Sequence, residues 1–146
     1  HIGGSEDNVV STISNATLED CLKLVTETNI DSLAPALGSV HGLYKGKPNL
    51  DFSTMKEIST NIDIPLVLHG GTGIPSSDIK MAINCGINKI NINTELQIAW
   101  YNKVKEYIIN NPNQYDPRKV IGSGKQAIKN KIREYIEMYM TNDTKN

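Results

Sequence analysis

Long apolar runs are missing from this sequence. No stretch of its 146 residues approaches the roughly 20 consecutive apolar positions that span a bilayer, and His1-Ile2-Gly3-Gly4 does not resemble a signal peptide. The expected setting is the cytoplasm, with no membrane partner. A surplus of one charge is missing too: Lys and Arg number 15 against 16 for Asp and Glu, with no block of like charges. No nucleic-acid partner is therefore expected, and the ligand should be a small molecule or a protein. Cysteine is scarce. Cys21 and Cys85 are too few for a disulfide framework and are read as reduced structural thiols, one within a helix pattern and one just before a glycine at a helix end. What is present is ordinary: a 38% hydrophobic content suffices for the core of one domain. The chain opens on His1 rather than Met and runs at once into glycines, as though entered in mid-loop, so a fragment of a longer protein is expected.

Hydrophobic periodicity predicts helices and strands in alternation. From Thr17 a T-x-x-D capping pattern precedes Leu18, Cys21, Leu22 and Val25 on one helical face, closed by Asn29. The apolar run over residues 30–37 reads as a buried strand, although Pro35 cannot donate to a central ladder. Residues 52–60 read as a helix and residues 64–68 as a strand running into His69-Gly70-Gly71-Thr72-Gly73. Ser76, Ser77 and Asp78 can cap a helix through Asn84, which Gly86 stops; residues 87–93 read as a third strand, and Thr94 opens a helix to about Asn110. Asp116-Pro117 reads as a turn. Residues 126–140 form an amphipathic helix with Ile128, Ile132, Tyr135, Ile136 and Tyr139 at helical spacing, followed by a polar tail. Three short apolar strands alternating with helices are the signature of parallel βαβ units, so the fold class is α/β. Polar and glycine-rich residues cluster after each strand, at the end where parallel folds place their ligands.

Four groups there can carry chemistry. His41 and His69 each follow an expected strand and precede a glycine; imidazole is a good zinc ligand, and the glycine admits close approach. Taken singly, either histidine is more readily structural; the matched pair is what raises the ligand reading. A catalytic zinc takes three protein ligands, and no third is evident, since His1 has no strand behind it. The loop of residues 69–73 offers backbone N–H groups and one hydroxyl to an anion such as phosphate, or is an ordinary turn. Asn91-Ile92-Asn93-Thr94-Glu95 lies at the junction of strand and helix, where Asn93 and Thr94 can bind phosphate, cap the helix, or do both. Glu6-Asp7 sits in a glycine-flanked loop able to bring an acid or base over a substrate; solvated surface is the alternative.

The segments GGSEDN, SLAPALGSVHGLYKGKPNLDF, IPLVLHGGTGIP and INKININTELQIAW, in that order and spacing, resemble the class II fructose-bisphosphate and tagatose-bisphosphate aldolases over nearly the whole chain. The resemblance implies a (β/α)₈ TIM barrel of which residues 1–146 are the carboxy-terminal part, strands six to eight with their helices, the amino-terminal part lying outside this chain. It implies that His41 and His69 bind Zn2+, and that Gly42, Gly70, Gly71, Thr72, Asn91, Ile92, Asn93 and Thr94 hold dihydroxyacetone phosphate. Carbonyls near Val40, Gly42 and Gly70 resemble a monovalent-cation site for Na+ or K+. Glu6 would move the proton at the carbon that becomes the nucleophile, while Asn91 places the reacting oxygens and zinc serves as Lewis acid to the ketone. The partners implied are a sugar phosphate, the amino-terminal half of the barrel, and further copies in a homodimer or homotetramer. Fructose 1,6-bisphosphate is the favoured substrate, with tagatose specificity as the alternative. The family's Asp-His pair does not occur in this sequence, so the fragment alone should be inactive. Two other classes compete: a non-catalytic sugar-phosphate-binding or assembly subunit, and a different metal-dependent barrel enzyme such as an epimerase.

Overall fold

The computed structural model describes residues 15–39, 46 and 48–140, which fall into two compact units, His1–Ile92 and Asn93–Asn146. His1, Glu6, Val40, His41 and Gly42 lie outside the described residues.

In the first unit, α1 (Leu18–Thr28) begins where expected: the Thr17 hydroxyl accepts from the Asp20 N–H at 3.2 Å and donates to the Asp20 carboxylate at 2.7 Å. Asn29 ends it in the left-handed conformation. Helix α2 (Phe52–Asn61) is capped by Asp51, which accepts from the Thr54 N–H at 2.9 Å and from its hydroxyl at 2.8 Å. The Thr54 N–H, more than any other contact, holds the Asp51 carboxyl below its ordinary pKa. Strand β1 (Leu66–Leu68), helix α3 (Ser76–Asn84) and strand β2 (Ile87–Ile90) form a βαβ unit with the strands parallel in the register Leu66–Ile87, Val67–Lys89, Leu68–Ile90. At the irregularity between Leu66 and Val67, the Asn88 side chain accepts the Leu66 N–H at 2.9 Å and so closes the gap in the ladder. The core gathers Cys21, Leu33, Leu37, Met55, Ile58, Leu66, Leu68 and Ile79, all fully buried, and each large aliphatic side chain there contributes roughly 1.5–3 kcal/mol. Burial also raises the pKa of Cys21, in keeping with an inert thiol.

Three expectations require correction in this unit. The strand over residues 30–37 is reduced to isolated bridges at Leu33 and Pro35; Leu33 pairs in parallel with Leu66, donating to the Pro65 carbonyl at 3.0 Å and accepting from Val67 at 2.8 Å. Pro35 is itself at a bridge but has no N–H to donate, and the Ala36 carbonyl beyond it accepts from the Ala16 N–H at 2.8 Å, so the pairing stays at separate bridges. The strand over residues 87–93 stops at Ile90 and exposes Asn88 and Lys89, because β2 is paired on one side alone among the described residues. Neither Ser76 nor Ser77 caps α3: Pro75 occupies the cap position without a side-chain bond, and the Ser77 hydroxyl donates to Asp78.

In the second unit, α4 (Thr94–Asn110) packs against α5 (Pro117–Gly122) and α6 (Lys125–Met140). The expected turn at Asp116-Pro117 is in fact the start of α5, because Asp116 caps it by accepting the Arg118 N–H at 3.0 Å and Pro117 supplies a preset φ at the first position. Trp100 of α4 donates to the Ile121 carbonyl at 3.1 Å. Its ring lies so close to Gly124 that a Cβ there would sit 2.3 Å from it, so glycine is required. The apolar face expected on α6 is divided. Tyr135 and Tyr139 turn inward, whereas Ile132 and Ile136 are 40% and 48% exposed. No helix among the described residues is long and apolar enough to cross a membrane.

Candidate functional site

The site is built where β1 and β2 end together. Parallel strands in register deliver His69 and Asn91 to adjacent positions, one residue beyond each strand. The two ends are then stitched by the backbone: the Asn91 N–H donates to the Leu68 carbonyl at 3.0 Å, and the Gly71 N–H donates to the Asn91 carbonyl at 3.0 Å. This pairing explains why glycine stands at position 71. A Cβ there would lie 2.6 Å from the side chains of both Ile90 and Ile92 and 3.1 Å from the Asn91 carbonyl. Gly70 and Gly73 take φ of 64° and 77°, so the loop doubles back and buries Thr72, which is 2% exposed.

Across the strand ends the Asn91 amide nitrogen lies 3.4 Å from His69 Nδ1. With that ring nitrogen unprotonated, the amide donates to it; with it protonated, the amide turns to offer its oxygen. Either arrangement restrains the rotation of the imidazole. Outer-shell contacts of this kind orient histidines that bind metals.

Of the residues singled out in the sequence, His69, Gly70, Gly71, Thr72, Asn91 and Ile92 come together in the first unit. Asn93 and Thr94 open α4 of the second unit. Asn93 stands at its cap position but makes no side-chain cap bond, which removes the helix-cap reading of that side chain. Gly71 differs from expectation in its chemistry: its N–H is spent on the Asn91 carbonyl, so its contribution to an anion cradle is close approach rather than donation. Among the described residues no three His, Cys, Asp or Glu side chains converge as a metal cluster. His69 suits zinc by donor type and by its place at a strand end. A catalytic zinc there, with three protein ligands, would need at least one of them from beyond the described residues.

Sequence reading missed one group. The Tyr135 hydroxyl donates to the Glu95 carboxylate, and the Tyr139 ring lies 5.8 Å from that of Tyr135. Glu95 stood within a recognised motif, but its partner is 40 residues away on another helix, and no local pattern signals such a pairing.

The family model for class-II fructose-bisphosphate aldolase matches residues 1–144. The chain belongs to the class II fructose-bisphosphate aldolase family. It is 53% identical over 139 residues to the fructose-bisphosphate aldolase of Geobacillus stearothermophilus, an overlap of 92% of this chain and 48% of that protein. It is 51% identical to the probable fructose-bisphosphate aldolase of Bacillus subtilis, covering 92% of this chain and 49% of the relative. The chain thus spans about half the length of these curated relatives. Among solved structures, the YdjI aldolase from Escherichia coli superposes with a TM-score of 0.74 at 38% identity, over 86% of this chain and 46% of that one. The helices and parallel strands of this chain thus fit an α/β fold shared with an aldolase structure, as expected.

Proposed function

We propose that this chain is the carboxy-terminal part of a single (β/α)₈ barrel domain, contributing strands six to eight, and that the whole protein reversibly cleaves fructose 1,6-bisphosphate to dihydroxyacetone phosphate and glyceraldehyde 3-phosphate. The observation that carries the reading is the meeting of His69 and Asn91 at the carboxyl ends of adjacent parallel strands, in a chain that matches the aldolase family over residues 1–144.

The roles follow from residue chemistry. His69 and His41 each offer an imidazole nitrogen to Zn2+, with a third histidine from the amino-terminal half of the protein. Zinc, when bound, acts as a Lewis acid toward the substrate ketone. Asn91 holds the His69 ring and places the reacting oxygens by hydrogen bonding. Gly42, Gly70, Gly71, Thr72, Ile92, Asn93 and Thr94 bind the dihydroxyacetone phosphate portion, with Gly71 keeping the backbone close and Thr72 offering its hydroxyl. Carbonyls near Val40, Gly42 and Gly70 hold Na+ or K+ in support of the phosphate. Glu6 delivers a proton to the carbon released by cleavage and removes it in the condensation direction. The protein works in the cytoplasm as a homodimer or homotetramer, and this segment alone is inactive because His41 and His69 supply two of three metal ligands and the sequence has no Asp-His pair.

The test is an assay of the full-length protein on fructose and tagatose 1,6-bisphosphates, with and without a chelator. Cleavage of fructose 1,6-bisphosphate that is lost on chelation and restored by zinc is expected. Preference for the tagatose sugar would correct the substrate, and failure to cleave either sugar would overturn the reading.

A further inference from the structure

The first turn of α4 carries its own negative charge. Thr94 and Glu95 open the helix, and Asn93 before them makes no side-chain cap bond, so no side chain at the cap position covers the first-turn N–H groups. Those groups and the helix dipole attract an anion. In the functional reading above, on which this inference rests, that anion is the substrate phosphate. Glu95, within the same turn, is an intramolecular competitor for it.

Helix α6 answers this charge. Lys131, Tyr135 and Tyr139 recur at intervals of four residues and so share one face. The Tyr135 hydroxyl donates to Glu95 Oε2. The Tyr139 hydroxyl is buried without a hydrogen-bond partner among the described residues, and its pKa is pushed up to about 12, first by burial and then by the charge of Glu95. Lys131 also feels Glu95, after its stronger bond to Glu134. Three side chains of one helix face are thus under the influence of a single carboxylate, and one of them binds it.

We infer that Tyr135 is a positioning residue for substrate phosphate: by donating to Glu95 it engages that carboxylate with α6 and leaves the first-turn N–H groups of α4 to the phosphate. A tyrosine confined to packing α6 on α4 would act the same whether or not residue 95 is charged. The proposed role depends on that charge.

The experiment is a double-mutant cycle in the full-length protein, with Tyr135→Phe, Glu95→Gln and the double variant. Two quantities are read: KM for fructose 1,6-bisphosphate against kcat, and the affinity for inorganic phosphate by calorimetry, which needs no turnover. Tyr135→Phe is expected to weaken phosphate binding and raise KM about two- to fivefold, the size of a helix-terminus charge effect, with kcat within about twofold of the parent. In the Glu95→Gln background the same change should have no effect on either quantity. Unaltered phosphate affinity in Tyr135→Phe, or an equal loss in both backgrounds, overturns the inference. A parent protein that binds phosphate in this Tyr135-dependent way yet cleaves no ketose bisphosphate would sustain the inference and sink the functional reading.

Discussion

The two units of the chain are held by different means. In the first, backbone does most of the work: Leu33, β1 and β2 are joined edge to edge, and the loop after β1 returns to donate to Asn91. In the second, three helices without a strand between them meet through side chains, with Trp100 on the α5 carbonyl of Ile121 and Tyr135 on Glu95. A backbone stitch fixes neighbouring Cα positions closely, which suits a place where two side chains must converge. Side-chain packing tolerates more adjustment, which suits support. Chemistry is thus expected to be far more sensitive in the first unit than in the second, even where the stability cost is alike.

The largest effect should follow His69→Ala in the full-length protein: aldolase activity and bound zinc should fall by more than about 100-fold, beyond the loss of an outer-shell partner, while circular dichroism stays native. Full activity in this variant would remove His69 from the site. Next come the two glycines. Gly71→Ala forces a methyl group against Ile90, Ile92 and the Asn91 carbonyl, and Gly124→Ala forces one against Trp100; each should lower stability by about 1–3 kcal/mol in thermal or denaturant unfolding. Of the pair, Gly71→Ala alone should also depress kcat, by displacing Asn91 from His69. Equal losses of activity in both would break the contrast between stitched and packed units.

A smaller effect is expected at the α2 cap. Asp51→Ala should cost about 1 kcal/mol near neutral pH. Since hydrogen bonds hold the Asp51 pKa below its ordinary value, its contribution is present above that value and disappears as pH falls through the folded one. The stability gap between parent and variant should therefore narrow on acidification through the carboxylate range; a gap independent of pH would show that the charge is irrelevant. Least of all, Lys103→Ala breaks an exposed pair with Glu106 and should change stability by less than about 0.5 kcal/mol.

Much of this architecture was legible because its signals are local. The ends of α1 are set by Thr17 and Asn29, and α4 spans the expected residues 94–110, because caps and apolar spacing act within a few positions. The site was legible for a related reason: in parallel α/β units, residues just past strand ends converge, so His69 and Asn91 could be marked before their contact was seen. The failures share a cause as well. Whether residues 30–37 form a continuous ladder or the separate bridges at Leu33 and Pro35 depends on neighbouring strands, and Asp116-Pro117 suits a turn or a helix start equally on local grounds.

By itself the sequence determined the boundaries of α1 and α4, the α/β alternation, and the placing of histidine, glycine and asparagine after strands, because short-range sterics and apolar periodicity dictate these, while its ordered motifs carried the resemblance to an aldolase family. The tertiary structure alone decided the 3.4 Å approach of Asn91 to His69, the commitment of the Gly71 N–H to the Asn91 carbonyl, and the bond from Tyr135 to Glu95. Each joins residues 20 to 40 positions apart, and such pairings exist only after strands take their register and helices their partners.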